Sequence, residues 1–510
     1  MFAQVSTVAF EGVDAKRVDV QILIAAGLPA FHIVGLPDKA VGESRERVRA
    51  ALTAIGLGLP AKRITVNLAP ADMPKEGTHY DLPIALGVMA ATGAMAREQL
   101  EPFIIIGELG LDGSLGHIAG ALPAALGANA MDKGLICPAS CGSEAAWASG
   151  EMEIVAATHL LPLVNHFKGS APLPAPQPNL QEEAQGLPDL ADVRGQESAK
   201  RALEVAAAGG HHMLMIGPPG AGKSMLAQRL PGILPPLEPK ELLDVAMVQS
   251  LAGTIVNGVL TPTRPFRAPH HSATMAALVG GGSRPKPGEV ALAHLGVLFL
   301  DELPEFPPHV LDALRQPIET GETIIARVNH RIRYPSRFQL IAAMNPCRCG
   351  HAWTPGMTCR LGPKCEDNYR ARISGPLWDR LDIRTHIAPV KASELSQRRA
   401  REKSADVAKR VKAAREIQSR RYALIAQDSI ALNAHCPPAA IENLCKLDQE
   451  GARLLEKAAD VTGLSARGYY RTIRIARTIA DLDSAANIGA VHVAEALSLR
   501  GERGGVQKAA

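Results

Sequence analysis

The chain has no apolar run long enough to cross a membrane. Its longest stretches without Asp, Glu, Lys or Arg, Gly113–Met131 and Val245–Thr263, are broken by glycine and polar residues, whereas a spanning helix needs about 20 consecutive apolar residues. The N-terminus also lacks the basic segment and following apolar run that mark a secretory signal peptide. These absences predict a cytoplasmic protein with no membrane partner.

A large excess of one charge is absent as well. Lys and Arg number 55 against 51 Asp and Glu, for a formal charge of +4, so bulk charge alone does not indicate a nucleic-acid-binding protein. Cysteine is scarce, and four of the eight cysteines fall between Cys347 and Cys365. In a reducing compartment such a cluster favours metal ligation or catalysis over disulfides.

The 510 residues are enough for about three domains. Short β-branched runs alternate with alanine-rich runs near the N-terminus, as in the predicted strand Arg63–Ala69 and helix Asp81–Thr92. We predict a multidomain α/β chain with four segments: an α/β domain at 1–166, a proline-rich linker at 167–188, a second α/β domain at 189–389 and a helical domain at 390–505.

The strongest motif is "IGPPGAGKSML", which fits G-x-x-x-x-G-K-[ST] in full. A predicted strand, Met213–Ile216, precedes it and a helical run, Met225–Leu230, follows, as a phosphate-binding loop requires. Backbone amides of the loop would wrap the phosphates of ATP, with Lys223 at the β- and γ-phosphates and Ser224 on Mg²⁺. The predicted ATP-binding residues are Gly217, Pro218, Pro219, Gly220, Ala221, Gly222, Lys223 and Ser224.

Two further apolar strands end in polar residues. The strand Val297–Leu300 runs into Asp301 and Glu302, which predicts that Asp301 holds Mg²⁺ and that Glu302 polarises the attacking water. The strand Arg337–Asn345 ends in Asn345, where ATPases of the AAA+ type place a residue that orients this water.

Two arginines are candidates for contacts to the γ-phosphate. Arg380, in "RISGPLWDRLDI", is the candidate arginine finger, which an oligomer supplies to a neighbouring subunit; a surface ion pair with Asp379 or Asp382 is the alternative. Arg467 lies near the start of the basic helix Leu464–Leu482 and is the candidate nucleotide sensor of a helical lid. Two arginines of the same helix compete for that role, Arg471 and Arg474.

The order of these motifs is that of an AAA+ ATPase. A hairpin before the Asn345 strand and an insertion within Arg264–Glu302 resemble the helix-2-insert and pre-sensor-1-hairpin clade, which contains magnesium chelatase and replicative helicases. More specifically, "RPFRAPHHS", "LVGGG", "PGEVALAHLGVLFLDELPEF", "AAMNPCRCG" and "SGPLWDRLD" resemble the Mg-chelatase-like YifB/ComM competence family over nearly the whole chain. The resemblance implies a hexameric ATPase that drives branch migration on DNA and aids recombination in natural transformation.

The segment Val66–Leu86 resembles the Lon protease fold around its nucleophile. Thr78 and His79 stand where the serine would be expected, and Leu122 matches the position of the catalytic lysine. An aliphatic residue cannot act as a general base. The resemblance therefore implies a Lon-like domain that is not a protease, with DNA handling and a plain oligomerisation platform as equal alternatives.

Basic residues are concentrated between Arg327 and Arg384, where eleven stand against four acidic residues. A ring with this surface inward would attract DNA phosphates. The candidate contacts are on the predicted hairpin Thr323–Tyr334: Arg327, His330, Arg331 and Arg333. Part of the cluster must instead serve nucleotide and subunit contacts.

The cysteine insert at 347–365 has the spacing C-x-C-x₉-C-x₅-C, which differs from the usual paired C-x₂-C pattern. Four thiolates suit tetrahedral Zn²⁺, and a closed set would be structural. His351 replacing one ligand, or two reduced pairs without metal, are the alternatives. The predicted zinc ligands are Cys347, Cys349, Cys359 and Cys365.

A second function remains open from the same motifs. A chelatase-like ATPase would remodel a partner enzyme for metal insertion into a tetrapyrrole, and the shared insertions support it. The Lon-like domain and the cysteine cluster argue against it.

Overall fold

The N-terminal part forms a seven-stranded mixed sheet in the order β3-β4-β2-β1-β5-β8-β9. The strands are β1 (Phe2–Glu11), β2 (Asp14–Ala25), β3 (Ala30–Val34), β4 (Arg63–Ala69), β5 (Phe103–Ile105), β6 (Glu108–Leu109), β7 (Leu115–Gly116), β8 (Gly134–Pro138) and β9 (Ile154–Ala157). The helices are α1 (Lys39–Ala54), α2 (Asp81–Thr92), α3 (Arg97–Leu100), α4 (Ala121–Ala130), α5 (Ala139–Ala145) and α6 (Leu160–Phe167). The predicted bounds of β4 and α2 agree with the structure.

This computed structural model describes residues 1–181, 186–282, 286–326, 331–351, 358–359, 362–389, 402–423 and 432–501. Within the predicted linker at 167–188, β10 (Asn179–Leu180) pairs in parallel with β12 (Val259–Leu260). The linker is therefore tied to the second domain by backbone hydrogen bonds at its C-terminal half.

The second domain is built on a five-stranded sheet in the order β13-β16-β19-β11-β20. Its strands are β11 (Met213–Ile216), β13 (Phe266–Arg267), β16 (Val297–Leu300), β19 (Gln339–Met344) and β20 (Ile383–His386). All its pairings are parallel, so the carboxyl ends of the strands meet at one edge, where ligands bind in such sheets. β11, β16 and β19 are buried along their whole length, and apart from Gln339 at the start of β19 their residues are apolar, as expected of strands covered on both faces.

Helices and short hairpins surround this sheet. The helices are α7 (Glu197–Gly209), α8 (Lys223–Ala227), α9 (Pro239–Ala252), α10 (Met275–Val279), α11 (Glu289–Leu292), α12 (Pro308–Ala313), α13 (Arg315–Thr320), α14 (Pro363–Arg370) and α15 (Gly375–Trp378). The hairpins pair β14 (Gly280–Gly281) with β15 (Lys286–Pro287), and β17 (Glu322–Ala326) with β18 (Arg331–Pro335).

The helix after the phosphate-binding loop, the insertion within Arg264–Glu302 and the second hairpin can be compared with their predicted positions. The helix after the phosphate-binding loop ends at Ala227 rather than Leu230, and a 3₁₀ turn with Pro231 follows, because proline cannot continue the hydrogen-bond ladder of a helix. The insertion within Arg264–Glu302 contains the hairpin β14–β15, which separates α10 from α11. The two strands of the second predicted hairpin are observed, within one residue of the predicted bounds, as β17 and β18. Arg327, predicted as the last residue of the first strand, and the predicted turn Val328–His330 lie outside the described residues.

The C-terminal part is helical, as predicted. Its α-helices in the described residues are α16 (Ser404–Tyr422), α17 (Pro438–Leu444), α18 (Gln449–Thr462), α19 (Ala466–Leu482) and α20 (Ala490–Leu499). They share one hydrophobic core with α7 and β11. The guanidinium of Arg415 donates to the carbonyl of Ala207 at 2.7 Å, so α16 is docked on α7. Among the helices described, none is long and apolar enough to span a membrane.

The N-terminal domain packs directly on the second domain. Leu122 of α4 joins a cluster with Leu242 and Val245 of α9. The buried carboxylate of Glu144 accepts from the hydroxyl of Ser250 and, at 3.1 Å, from the backbone amide of Leu122. These contacts hold α4 against α9.

Candidate nucleotide-binding site

The phosphate-binding loop, Gly217–Gly222, connects the carboxyl end of β11 to the first turn of α8. Gly220 and Gly222 have φ angles of +76° and +91°, a left-handed conformation that favours glycine. A Cβ atom at either position would meet no atom of the described residues within 4 Å. The loop therefore leaves room beside its backbone, and the N-terminus of α8 adds a dipole that favours anions.

Lys223 is 8% exposed and lies inside this loop. Its Nζ donates to the carbonyls of Gly217 at 2.8 Å and Pro218 at 2.9 Å, and to Oδ1 of Asn345 at 3.1 Å. Burial lowers the pKa of Lys223, although the charges of Asp301 and Glu302 oppose this. The structure thus brings Lys223 and the strand-end residue Asn345 together.

Ser224 and Asp301 meet across the sheet edge. The Ser224 hydroxyl donates to Oδ2 of Asp301 at 2.5 Å, even though β19 separates β16 from β11 in the sheet. A hydroxyl and a carboxylate are the oxygen ligands that Mg²⁺ prefers beside substrate phosphates. These two side chains therefore fit the predicted magnesium site.

Glu302 follows Asp301 in a strained backbone conformation. Its φ is +51°, a left-handed conformation that non-glycine residues adopt rarely and that is found at many active sites. Its side chain is 50% exposed. The turn directs this carboxylate into a cavity of about 350 Å³ that Ser224, Asp301 and Glu302 line together.

His271 also lies at this site, although the sequence alone did not predict it there. Its Nδ1 lies 3.3 Å from Oε2 of Glu302, and the ring of His270 packs against it with centroids 4.0 Å apart. Both histidines line the cavity of Glu302. The adjacent pair in "RAPHHS" was the available signal, but nothing local in the sequence indicates contact with a residue 31 positions later.

Arg380 and Arg467 lie together in a different cavity of about 650 Å³, which Arg471 and Arg474 also line. Among the described residues, this cavity shares no lining residue with the one at Glu302. Arg380 pairs with Glu319 of α13, not with the two aspartates that the sequence offered as partners. The two predicted γ-phosphate arginines are therefore near each other but apart from the phosphate-binding loop of their own chain.

The arginine cavity is electropositive. Burial lowers the pKa of Arg380, and the charges of Arg315, Arg467 and Arg471 lower it further. Arg471 donates to Asp382 at 2.8 Å. Burial opposes ionisation of Asp382, but the imidazole of His211, whose Nδ1 lies 3.5 Å from Oδ2, and the charge of Arg471 outweigh it and hold the pKa of this carboxyl below its usual range. The remaining positive charge makes the cavity suited to an anion.

The four cysteines of the insert form one cluster. All four sulfur atoms lie within 4.8 Å of one another, with 3.2 Å between Cys347 and Cys349 and 3.4 Å between Cys349 and Cys359. A tetrahedral ion with zinc–sulfur bonds of about 2.3 Å separates its sulfurs by about 3.8 Å. The cluster therefore fits a bound metal, and its four members are those predicted.

The pKa of Cys349 is lowered to about 7, chiefly by a hydrogen bond from the backbone amide of His351 and then by the neighbouring thiols Cys347 and Cys359. The amide of His351, rather than its ring, thus supports the cluster. Metal ligands need such a deprotonated sulfur.

The hairpin β17–β18 presents two of the predicted DNA contacts. Arg331 and Arg333 are exposed, whereas Ile332 and Tyr334 pack into a cluster that also contains Val13 of the N-terminal domain. This alternation gives the hairpin one apolar, docked face and one basic, exposed face. Arg327 and His330 lie outside the described residues.

The three N-terminal residues at the positions compared with Lon, Thr78, His79 and Leu122, are held by contacts within the fold. Thr78 donates to Oε2 of Glu108 at 2.5 Å. His79 is buried with its Nε2 2.9 Å from the carbonyl of Val8, and burial lowers its pKa to about 4. Leu122 is fully buried.

Three family matches cover most of the chain. Residues 189–395 match Magnesium chelatase, subunit ChlI; residues 20–141 match Subunit ChlI of Mg-chelatase; and residues 401–500 match Magnesium chelatase, subunit ChlI C-terminal. Together with the loop and the paired Ser224 and Asp301, they define a P-loop protein of the Mg-chelatase-like AAA+ class.

Relatives that match nearly the whole chain identify the family within this class. The chain is 46% identical over 96% of its length to Competence protein ComM of Haemophilus influenzae, covering 95% of that protein. It is 44% identical over 98% of its length to the uncharacterized protein YifB of Salmonella typhimurium, covering 97% of that protein. The magnesium-chelatase 38 kDa subunit of Rhodobacter capsulatus is 29% identical over 30% of this chain and 49% of its own length. The chain belongs to the ComM/YifB family of Mg-chelatase-like proteins.

Proposed function

We propose that this chain is an ATP-hydrolysing DNA motor that works as a homo-hexameric ring in the cytoplasm and drives branch migration. Its task would be to promote the integration of incoming DNA during natural transformation and homologous recombination. The competence relative of nearly equal length supports this assignment. The observation that carries the proposal is that one chain contains both a complete phosphate-binding loop and a hairpin with an exposed basic face, β17–β18.

ATP hydrolysis would use side chains that already lie together. Lys223 would move from the loop carbonyls to the β- and γ-phosphates, while Ser224 and Asp301 would hold Mg²⁺. Glu302 would accept the proton of the attacking water, and Asn345 would orient that water. Mg²⁺, when bound, neutralises charge that develops on the phosphate oxygens.

Arg380 and Arg467 would serve the nucleotide of a neighbouring subunit. Both line an electropositive cavity that shares no described lining residue with the cavity at Glu302. An arginine in such a position can reach a γ-phosphate only if a second copy presents one. This separation supports a ring in which every active site is shared by two subunits.

DNA would pass along the exposed face of the hairpin β17–β18. Arg331 and Arg333 point away from the docked face and would contact backbone phosphates without reading bases, as a motor on any sequence requires. Arg327 and His330 are further proposed contacts. Gly12 would help to fix this hairpin, because a Cβ at that position would lie 2.5 Å from the carbonyl oxygen of Arg333.

The cysteine cluster would hold a structural Zn²⁺ with Cys347, Cys349, Cys359 and Cys365 as ligands. We propose a Lon-like fold without proteolysis for the N-terminal domain. Its α4, with Leu122 at the compared lysine position, is buried against Ser250 of α9, which supports a docking role for that surface.

The decisive experiment is ATP-dependent conversion of a synthetic four-way junction, compared with forked and blunt duplexes. DNA should stimulate ATP hydrolysis, and the stimulation should fall steeply with salt because phosphate contacts release counterions. The double variant Arg331→Ala, Arg333→Ala should lose the stimulation and keep basal hydrolysis. Arg49→Ala, which removes an exposed arginine on α1, is the control. ATPase activity that ignores DNA at every salt concentration would refute the proposal.

A chelatase-like remodelling ATPase is the second candidate, because all three family matches are to the chelatase subunit. The match to a chelatase subunit itself covers only 30% of the chain. Hydrolysis that responds to a protein partner, with no response to DNA, would favour this function.

A further inference from the structure

We propose that the four-cysteine metal site and the nucleotide site are thermodynamically coupled, so that Zn²⁺ occupancy sets the affinity for ATP and bound nucleotide in turn retains Zn²⁺. The inference rests on the proposed zinc and ATP sites and goes beyond a purely local structural role for the metal. Two independent contacts join the cysteine cluster to the phosphate-binding loop.

The first contact runs through Asn345. This residue accepts from Nζ of Lys223 at 3.1 Å and lies two positions before the zinc-ligand candidate Cys347, which is fully buried. The chain between them is Pro346 alone, whose ring fixes one backbone angle. A shift of the Cys347 sulfur would therefore move the amide that holds the phosphate-binding lysine.

The second contact is between Gly350 and Pro219. Gly350 follows the ligand candidate Cys349 and has a φ of +75°. A Cβ atom at this position would lie 2.9 Å from Cγ and 3.2 Å from Cδ of Pro219. The turn of the cysteine cluster thus rests on the third residue of the phosphate-binding loop, and only glycine permits so close an approach.

These contacts connect the metal cluster to both sides of the nucleotide site. A bound ion would hold the cysteine turn in one conformation and keep Pro219 and Asn345 in position before nucleotide arrives. Without the ion, nucleotide binding must also order this turn, which lowers affinity. Because binding free energies are reciprocal, nucleotide must strengthen zinc binding by the same factor.

The test uses the full chain in two states, zinc-loaded and depleted with a zinc-selective chelator, with Mg²⁺ kept constant. Elemental analysis gives the zinc content, and a fluorescent non-hydrolysable ATP analogue gives the dissociation constant. We expect depleted protein to bind the analogue at least about fivefold more weakly, the lower end of typical coupling between sites. The analogue should slow zinc loss to the chelator, and equilibrium competition should return the same factor.

Two glycine variants separate the contact from the metal. Gly350→Ala should keep full zinc content and weaken nucleotide binding, because its Cβ collides with Pro219. Gly362→Ala is the matched control. Gly362 also belongs to the cysteine insert and has a positive φ of +54°, yet a Cβ there would meet none of the described residues within 4 Å. It should leave nucleotide affinity unchanged.

The outcomes distinguish this inference from the proposed function. Equal nucleotide affinity with and without zinc, in protein that holds zinc, would overturn the coupling and leave both sites intact. An equal loss of affinity in Gly350→Ala and Gly362→Ala would overturn the role of the Pro219 contact. Absence of zinc from purified protein would overturn the metal site itself, whereas DNA-stimulated hydrolysis is measured separately and would stand or fall alone.

Discussion

Mixed oligomers should reveal that each active site is completed by a neighbouring subunit. Arg380 lines a cavity apart from the one that Ser224 and Glu302 line in the same chain. In the proposed ring, Lys223→Ala would break the site that a subunit carries, and Arg380→Ala would break the site that it completes. Each variant alone should lose hydrolysis by about a thousandfold or more, as removal of an arginine finger does.

Mixing the two inactive variants should restore activity. In a random one-to-one ring, an interface is competent when Arg380→Ala supplies the loop and Lys223→Ala supplies the arginine, so about one quarter of interfaces regain an intact shared site. We therefore expect about 25% of wild-type hydrolysis if interfaces act independently. Arg380→Ala should not leave a buried unpaired carboxylate, because Glu319, the partner of Arg380, has a side chain that is 58% exposed.

The assay is steady-state phosphate release after subunit exchange without nucleotide. Lys223→Ala mixed with Glu302→Gln is the control, since both changes damage the site within one chain and no interface of that mixture is intact. If the mixture with Arg380→Ala recovers no more activity than this control, the arginine does not act across subunits.

Three further outcomes follow from the site and its surroundings. Glu302→Gln should bind ATP as the wild type does in a filter-binding assay. Its turnover should fall by about 100-fold or more, as expected when a group that acts in the transition state is removed. Weakened ATP binding would contradict this role. His271→Ala should change kcat at unchanged ATP affinity, because the imidazole contacts Glu302, whereas His270→Ala should change kcat less. Burial lowers the pKa of His294 to about 4. Between about pH 6.5 and 4 the unfolded chain therefore binds more protons than the folded chain, and His294 lowers the free energy of unfolding by up to about 3 kcal/mol as the pH falls. Urea unfolding at pH 5 and 7.5 should show a smaller difference for His294→Asn than for wild type or for His309→Gln, a change at an exposed position.

The loop and the strand-end carboxylates could be predicted because their chemistry is local. Gly217 to Ser224 are contiguous, and Asp301 and Glu302 directly follow an apolar run. Such patterns determine strand, turn and helix within a few residues. The bounds of β16 agree with the prediction for this reason, and the cysteine cluster gathers the four predicted residues.

Contacts between distant segments could not be predicted in this way. His271 reaches Glu302 only because β13 and β16 are neighbours in the sheet. Arg380 and Arg467 share a cavity because α19 packs beside the turn that follows α15. No periodicity or spacing specifies such a meeting, since it depends on how whole elements pack.

By itself the sequence determined which family this chain belongs to and which four thiols gather, and it predicted which residues would touch phosphate and Mg²⁺. The tertiary structure decided which residues pack around them: His271 beside Glu302, Pro219 against the cysteine turn, and Arg380 and Arg467 in a separate cavity. The physical reason is the range of the interactions. Loop and strand chemistry is set by neighbours along the chain, whereas orientation and coupling are set by packing between elements that are far apart in sequence.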